Sequence, residues 1–256
     1  MILNFIAFTV QAFVLIVCLG MANAALADGS SYSVVHGWPS LPKGRALGRA
    51  SGVAVDSHNH VFVFHSVDRD WSDPFPDGPI EGATIAVFDG ATGELMTEWG
   101  AGMFVMPHGL TVDSEDNIWL TDVGRHQVFK YSHDGELLFE LGEKRVPGAD
   151  SKHFNLPTDV AVLDNGDFFV SDGYGNSRVL KFSSDGELKF QWGAKGSGEG
   201  DFDLPHGLAL DSAGRLYVAD RSNSRIQVFD LEGNFISEWS RDKVGRPYGI
   251  CLLYTS

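Results

Sequence analysis

The sequence predicts an all-β fold, a β-propeller assembled from repeated four-stranded antiparallel sheets. Three observations carry that expectation. One phrase recurs along the chain, short β-type runs alternate with turn residues inside each copy, and no stretch after residue 27 has helical periodicity. The clearest copy is 202–239, FDLPHGLALDSAGRLYVADRSNSRIQVFDLEGNFISEW, and close versions fill 104–141 and 154–192. A degenerate copy opens at Gly48 and a fresh one at Gly245. Pro107, Pro157, Pro205 and Pro247 mark the repeat, 50, 48 and 42 residues apart.

Within the clearest copy, 207–210 reads as a first strand leading into a turn at 211–214, where Gly214 can take positive φ. A second strand follows at 216–219, a connection at 220–224 and a third strand at 225–229. Residues 232–234 turn the chain into a fourth strand at 235–239. One such sheet cannot cover both of its faces, so neighbouring sheets must pack around an axis as propeller blades. Counted this way, the chain supplies four blades and the start of a fifth. A leucine-rich solenoid would need a period of 20–29 residues, which is not present.

The formal net charge of −15 over 256 residues argues against nucleic acid or an anionic membrane as partner, since both need a cationic patch. Residues 5–19 are apolar except for Thr9 and Gln11, and small residues at 22–27 offer A-x-A cleavage points. Residues 1–27 are therefore expected to be a signal peptide, with an uncleaved anchor as the alternative because no basic segment precedes the apolar run. The mature protein is expected outside the cytosol: secreted, periplasmic or in the secretory lumen, with no membrane contact after cleavage. Residues 28–250 are read as an incomplete propeller. The last six residues, CLLYTS at 251–256, replace the expected continuation of the fifth copy and read like a sequencing adapter, so they are expected to be a non-native tail. Cys18 and Cys251 have no evident partner, which leaves core burial to stabilise the fold.

Comparing copies separates scaffold from chemistry. Asp56, Asp113 and Asp211 recur in turns, Asp122, Asp172 and Asp220 recur after the second strand, and Asn176/Arg178 recur as Asn223/Arg225. These are read as structural. The position after the strand-opening proline varies instead: Ser51, His108, Thr158, His206 and Tyr248. In a propeller this position opens the innermost strand, so His108 and His206 would face the same axis. Imidazoles there are either metal ligands or hydrogen-bonding groups at blade junctions, and spacing alone leaves both open. The connection after the second strand also varies. At 172–178 it is one residue longer than at 220–225, lifting Tyr174 out of the pattern between two glycines expected to permit unusual backbone angles. Arg221 occupies the equivalent loop of the next copy.

These words resemble NHL repeats, a family of six-bladed propellers. SGVAVD at 51–56, VFVFH at 61–65, MPHGLTVD, FNLPTDVAV, SDGYGNSR and LPHGLAL resemble more narrowly the peptidyl-α-hydroxyglycine α-amidating lyases. The resemblance implies a zinc ion held by histidines of PH words, here His108 and His206, with the third ligand in a later blade. It implies Tyr174 as catalytic base with Arg221 beside it, and a structural calcium held partly by the backbone carbonyls of Val53 and Leu110. The implied substrate is a peptide ending in α-hydroxyglycine, and the implied partner enzyme is an upstream peptidylglycine hydroxylase. Lacking the third ligand, the 256-residue chain is expected to be inactive by itself. Two features depart from the resemblance. The family's carboxylate-binding Arg is replaced by Ser66, with Arg69 as the nearest substitute, and the family's disulfide positions are Asn155, Gly175, Tyr217 and Val228. Two other functions fit the fold: a non-catalytic propeller that binds protein or glycan, and a calcium-dependent propeller lactonase or esterase.

Overall fold

The computed structural model describes residues 34–252, so the expected signal peptide and the last four residues of the expected tail lie outside the described residues. Residues 34–38 carry no strand, and the compact unit that holds the repeats starts at Pro39. Sixteen strands follow in four sheets. Blade 1 contains β1 (Ala50–Val55), β2 (His60–His65), β3 (Ile85–Asp89) and β4 (Leu95–Trp99). Blade 2 contains β5 (Pro107–Val112), β6 (Ile118–Asp122), β7 (Gln127–Tyr131) and β8 (Leu137–Leu141). Blade 3 contains β9 (Pro157–Val162), β10 (Phe168–Asp172), β11 (Arg178–Phe182) and β12 (Leu188–Trp192). Blade 4 contains β13 (Pro205–Leu210), β14 (Leu216–Asp220), β15 (Arg225–Phe229) and β16 (Phe235–Trp239).

Every sheet is an antiparallel meander in sequence order, and the four blades leave the ring unclosed. Burial follows radial position. In β6, β10 and β14 every residue is buried: a neighbouring blade covers each face of β6 and β10, whereas β14 has blade 3 on one face and the segment carrying Val244, Ile250 and Leu252 on the other. The outermost β16 is almost wholly exposed. Between blades 1 and 2 the core contains Phe62, Phe64, Ile85, Phe104 and Phe129. Trp119, Phe168 and Phe182 fill the junction of blades 2 and 3, and Phe169, Phe202 and Phe229 that of blades 3 and 4. Each fully buried aromatic contributes roughly 2–3 kcal/mol of transfer free energy, and these packed junctions are the main source of cohesion.

The recurring polar residues hold this packing in register. Asp113 Oδ1 accepts the backbone N–H groups of Glu115 and Asn117, and Asp211 Oδ1 those of Ala213 and Arg215, closing the first turn of blades 2 and 4. The second set ties a blade to the loop that enters it. Asp172 accepts the Asn155 N–H and the side chains of Asn176 and Arg178, and Arg178 reaches on to the carbonyls of Ala149, Asp150 and His153. Blade 4 repeats the arrangement with Asp220, Asn223, Arg225 and the carbonyls of Ser197, Gly198 and Asp201. A one-turn helix α1 (Arg241–Val244) precedes the fifth copy, which enters as an irregular segment with no second strand to pair with among the described residues. Ile250 and Leu252 pack on Tyr217, Ile226 and Val228 at the open face of blade 4.

Candidate functional site

The first strand of each blade borders a central channel of about 570 Å³ lined by β1, β5, Thr158, Asp159, β13 and residues 248–252. Strand direction then fixes two distinct ends. The first strands begin, and the second strands end, at the end carrying the loops 66–84, 123–126, 173–177 and 221–224. His108 and His206 are both the second residue of a first strand, so both lie at this loop end. Their rings meet across the intervening blade 3 with centroids 4.8 Å apart.

Each ring is anchored by its outer nitrogen. His108 Nδ1 is 2.6 Å from the Thr158 carbonyl and His206 Nδ1 is 2.5 Å from the Tyr248 carbonyl. A carbonyl can only accept, so both Nδ1 atoms carry the proton and both Nε2 atoms present lone pairs. In each case the acceptor is the equivalent position of the next copy. Of the two readings left open by spacing, the hydrogen bond at a blade junction is seen at Nδ1, while Nε2 faces the channel. Burial is the main cause that lowers the pKa of both rings, His108 to about 4 and His206 to about 3, so both are neutral near pH 7.

Both lone pairs aim at one hydroxyl. The Tyr174 oxygen lies 3.0 Å from His206 Nε2 and 3.3 Å from His108 Nε2, and it accepts a bond from Arg221 Nη1 at 3.3 Å. Tyr174 has one proton to donate, so one of the two facing lone pairs has no donor. Arg221 donates its other terminal nitrogen to the Tyr248 hydroxyl at 2.8 Å and lies 3.9 Å over that ring, while its Nε is buried without a hydrogen-bond partner among the described residues. Burial raises the Tyr174 pKa, and Arg221 only partly offsets it. Arg221 alone therefore leaves the phenol protonated near neutral pH.

The glycines beside Tyr174 act differently from the sequence expectation. Neither Gly173 nor Gly175 takes positive φ. Each is needed for space: a Cβ on Gly173 would lie 1.9 Å from the Pro205 carbonyl oxygen, and one on Gly175 would lie 2.1 Å from Asn155 Cγ. The loop can press against its neighbours only without side chains, and that pressure sets Tyr174 over the channel beside Trp71, at a ring-centroid distance of 4.9 Å.

The structure does not bring Arg69 into this group. Its guanidinium donates to the carbonyls of Gly78, Pro79 and Val105, which staples the 66–84 loop to the segment before β5. Ser66 Oγ is likewise turned to the Arg69 carbonyl at 2.7 Å. The cation that borders the same cavity as His108, Tyr174 and His206 is Arg49, held 2.9 Å from Asp70 by an exposed ion pair. Val53 and Leu110 occupy equivalent positions on β1 and β5 at the channel wall, and Gly52 lets the two strands approach there, since a Cβ on it would sit 2.7 Å from the Leu110 nitrogen. Tyr217 pairs directly with Val228, and the Gly175 N–H donates to the Asn155 carbonyl, so each couple of substituted cysteine positions is adjacent.

Asp159 was not singled out by sequence reasoning. It stands where the copies at 109 and 207 have glycine, a difference that was there to be read. Its carboxylate accepts the N–H of Val160 and, across the blade junction, that of Leu208, both at 2.9 Å, and burial raises its pKa to about 7. A separate cluster of metal-ligating type, Asp56, His60 and His133, was also missed.

Comparison with known proteins agrees with this architecture. The NHL repeat family matches residues 104–131, 154–182 and 202–229. The fold resembles a streptogramin B lyase structure at TM-score 0.56 and 19% identity, over 77% of this chain and 56% of that one. Repeats and blades together define an NHL-repeat β-propeller. Within that class, the chain resembles the peptidyl-α-hydroxyglycine α-amidating lyases. It is 41% identical to peptidyl-α-hydroxyglycine α-amidating lyase 1 of Drosophila melanogaster over 84% of this chain and 44% of that protein. It is 43% identical to peptidylglycine α-amidating monooxygenase of Rattus norvegicus over 78% of this chain and 22% of that protein. The chain thus spans less than half the length of these two relatives.

Proposed function

We propose that this chain forms the catalytic channel of a zinc-dependent lyase that splits a peptidyl-α-hydroxyglycine into a peptide amide and glyoxylate. The observation that carries the reading is the convergence of two carbonyl-anchored imidazoles, one phenol and one guanidinium on a single point. Metal-binding histidines usually have one ring nitrogen donating to a carbonyl or carboxylate while the other faces the ion, and the surplus lone pair at Tyr174 suits a cation. His108 and His206 would hold zinc, and zinc bound there supplies a Lewis acid that favours the alkoxide of the substrate hydroxyl.

The chain's own groups account for the rest. Tyr174, ionised, takes the hydroxyl proton; the C–O bond becomes the aldehyde of glyoxylate, the C–N bond breaks, and Tyr174 passes the proton to the departing amide nitrogen, which regenerates the phenolate. Arg221 stabilises the phenolate, and its unpartnered Nε is a spare donor for a substrate oxygen. Arg49 would replace the missing arginine at Ser66 in binding the substrate carboxylate, exchanging its exposed bond to Asp70. Val53 and Leu110 would offer their carbonyls to a structural calcium, oxygen ligands being what that ion takes. A hydroxylase acting on peptidylglycine would supply the substrate, and the apolar leader would place the reaction in a secretory compartment.

The test is glyoxylate release from a peptide ending in α-hydroxyglycine, using the full-length protein that contains this segment, loaded with zinc. Release that is abolished by His108→Ala or His206→Ala, together with loss of bound zinc, supports the reading. An intact zinc-loaded protein that releases none refutes it.

A further inference from the structure

The turns joining β1 to β2 and β7 to β8 lie at the channel end opposite Tyr174, because the strands between them run the full height of the blades. Here 56–60 of blade 1 meet His133 of blade 2. Asp56 has a fully enclosed side chain and divides its two oxygens. Oδ1 accepts the backbone N–H groups of His58 and His60, at 2.9 and 2.7 Å, as the turn aspartates of other blades do. Oδ2 points instead at imidazoles: His60 Nδ1 at 2.8 Å, His133 Nε2 at 2.9 Å and His58 Nδ1 at 4.0 Å. The three rings form a triangle of centroid separations 5.8, 5.9 and 5.9 Å around that oxygen.

The equivalent turns of blades 2 and 4 give the second aspartate oxygen ordinary partners. Asp113 Oδ2 takes Asn117 and Trp119, and Asp211 Oδ2 takes Arg215 and Tyr217. Blade 1 alone of these three presents a carboxylate oxygen to three histidines. Ligand atoms of Asp56, His60 and His133 lie within 4.8 Å of one another, and a tetrahedral zinc site spaces its ligands by roughly 3.3 Å, given bonds of 2.0–2.1 Å. Phe62 packs edge-on to His133 at 5.7 Å and supports that ring from outside the cluster, while Asp116 Oδ2, 3.3 Å from the same His58 Nδ1, adds a second carboxylate beside it.

We propose that Asp56, His60 and His133, with His58 as a fourth ligand, bind a divalent ion of the zinc class at the junction of blades 1 and 2. The site is distinct from the channel cluster of His108, Tyr174 and His206 and independent of any activity there. Imidazole nitrogens with one carboxylate select zinc, cobalt, nickel or copper over calcium or magnesium, which prefer oxygen shells. Because its ligands come from two blades, bound metal pins the turn ends of the blades together.

The chelator-treated protein is titrated with Co(II), following the visible ligand-field band, and with Zn(II), following the melting temperature. His133→Gln tests the site without touching the channel, and His58→Gln provides a second surface variant. Wild type is expected to take up one equivalent more than His133→Gln, or to bind that equivalent at least roughly tenfold more tightly. Zinc should raise the melting temperature of wild type more than that of the variant, and His108→Ala should leave this equivalent in place. Equal uptake at equal affinity by wild type and His133→Gln overturns the proposal, as does loss of all metal in His108→Ala alone.

Discussion

Replacing Asp159 with asparagine is expected to change how stability depends on pH, in a direction the structure determines. The carboxyl is partly buried at the junction of blades 3 and 4, and its folded pKa, pushed up to about 7, exceeds the ordinary 3.8. Below pH 3.8 it is protonated both folded and unfolded and its contribution is fully present. As pH rises the unfolded chain releases the proton while the folded chain retains it, so stability declines until the folded group ionises near pH 7. A difference of that size corresponds to roughly 4 kcal/mol, reduced to roughly 2–4 kcal/mol because the group borders the open channel. The asparagine variant has no such titration, so wild type should lose that amount relative to it between about pH 4 and pH 8. Urea unfolding midpoints of both proteins at unit pH intervals, with chelator present, measure the difference, and other titrating groups cancel in it. Curves that stay parallel across this range would show that the carboxylate is already ionised at low pH and refute the reasoning.

Tyr174→Phe keeps the ring contacts with Trp71 but removes the proposed base; glyoxylate release should fall by roughly 10²–10⁴-fold with the melting temperature little changed. Arg49→Ala should raise KM for a substrate with a free carboxylate more than it lowers kcat, and a substrate lacking that carboxylate should not distinguish the two proteins. Arg178→Met strands the buried Asp172 charge and the loop carbonyls it holds, at a cost of roughly 3–5 kcal/mol in urea unfolding. Gly173→Ala must displace either the Pro205 carbonyl or the Tyr174 loop, so activity should fall even where the protein remains folded.

The blades were legible because each turn uses the same chemistry. The strands foreseen at 207–210, 216–219, 225–229 and 235–239 form within one or two residues of those limits. The channel residues were legible for the opposite reason: His108, His206, Tyr174 and Arg221 stand where the copies disagree, and the fold brings all four together. What the sequence could not show depends on contacts between blades. Nothing in PTDVAV announces that Asp159 reaches the Leu208 N–H of another sheet. Arg49 borders the site only because loop and strand ends of different blades meet there. Gly173 and Gly175 read in the sequence as sites of unusual backbone angles, whereas the reason for them is a carbonyl and an amide from other segments. His133 lies far from His58 and His60 in the repeat pattern, and only the fold sets it beside the turn of blade 1.

Both channel histidines have their Nδ1 proton held by a carbonyl from the next copy in line. Each ring therefore reports on assembly: Nε2 is turned to the channel only once the following blade, or segment, has seated. Loss of that neighbour would release the ring to turn and let its proton move to the other nitrogen. Maturation of such a site would proceed in chain order, each imidazole becoming competent when the repeat behind it arrives. Metal uptake during refolding would then trail the docking of blades instead of nucleating it.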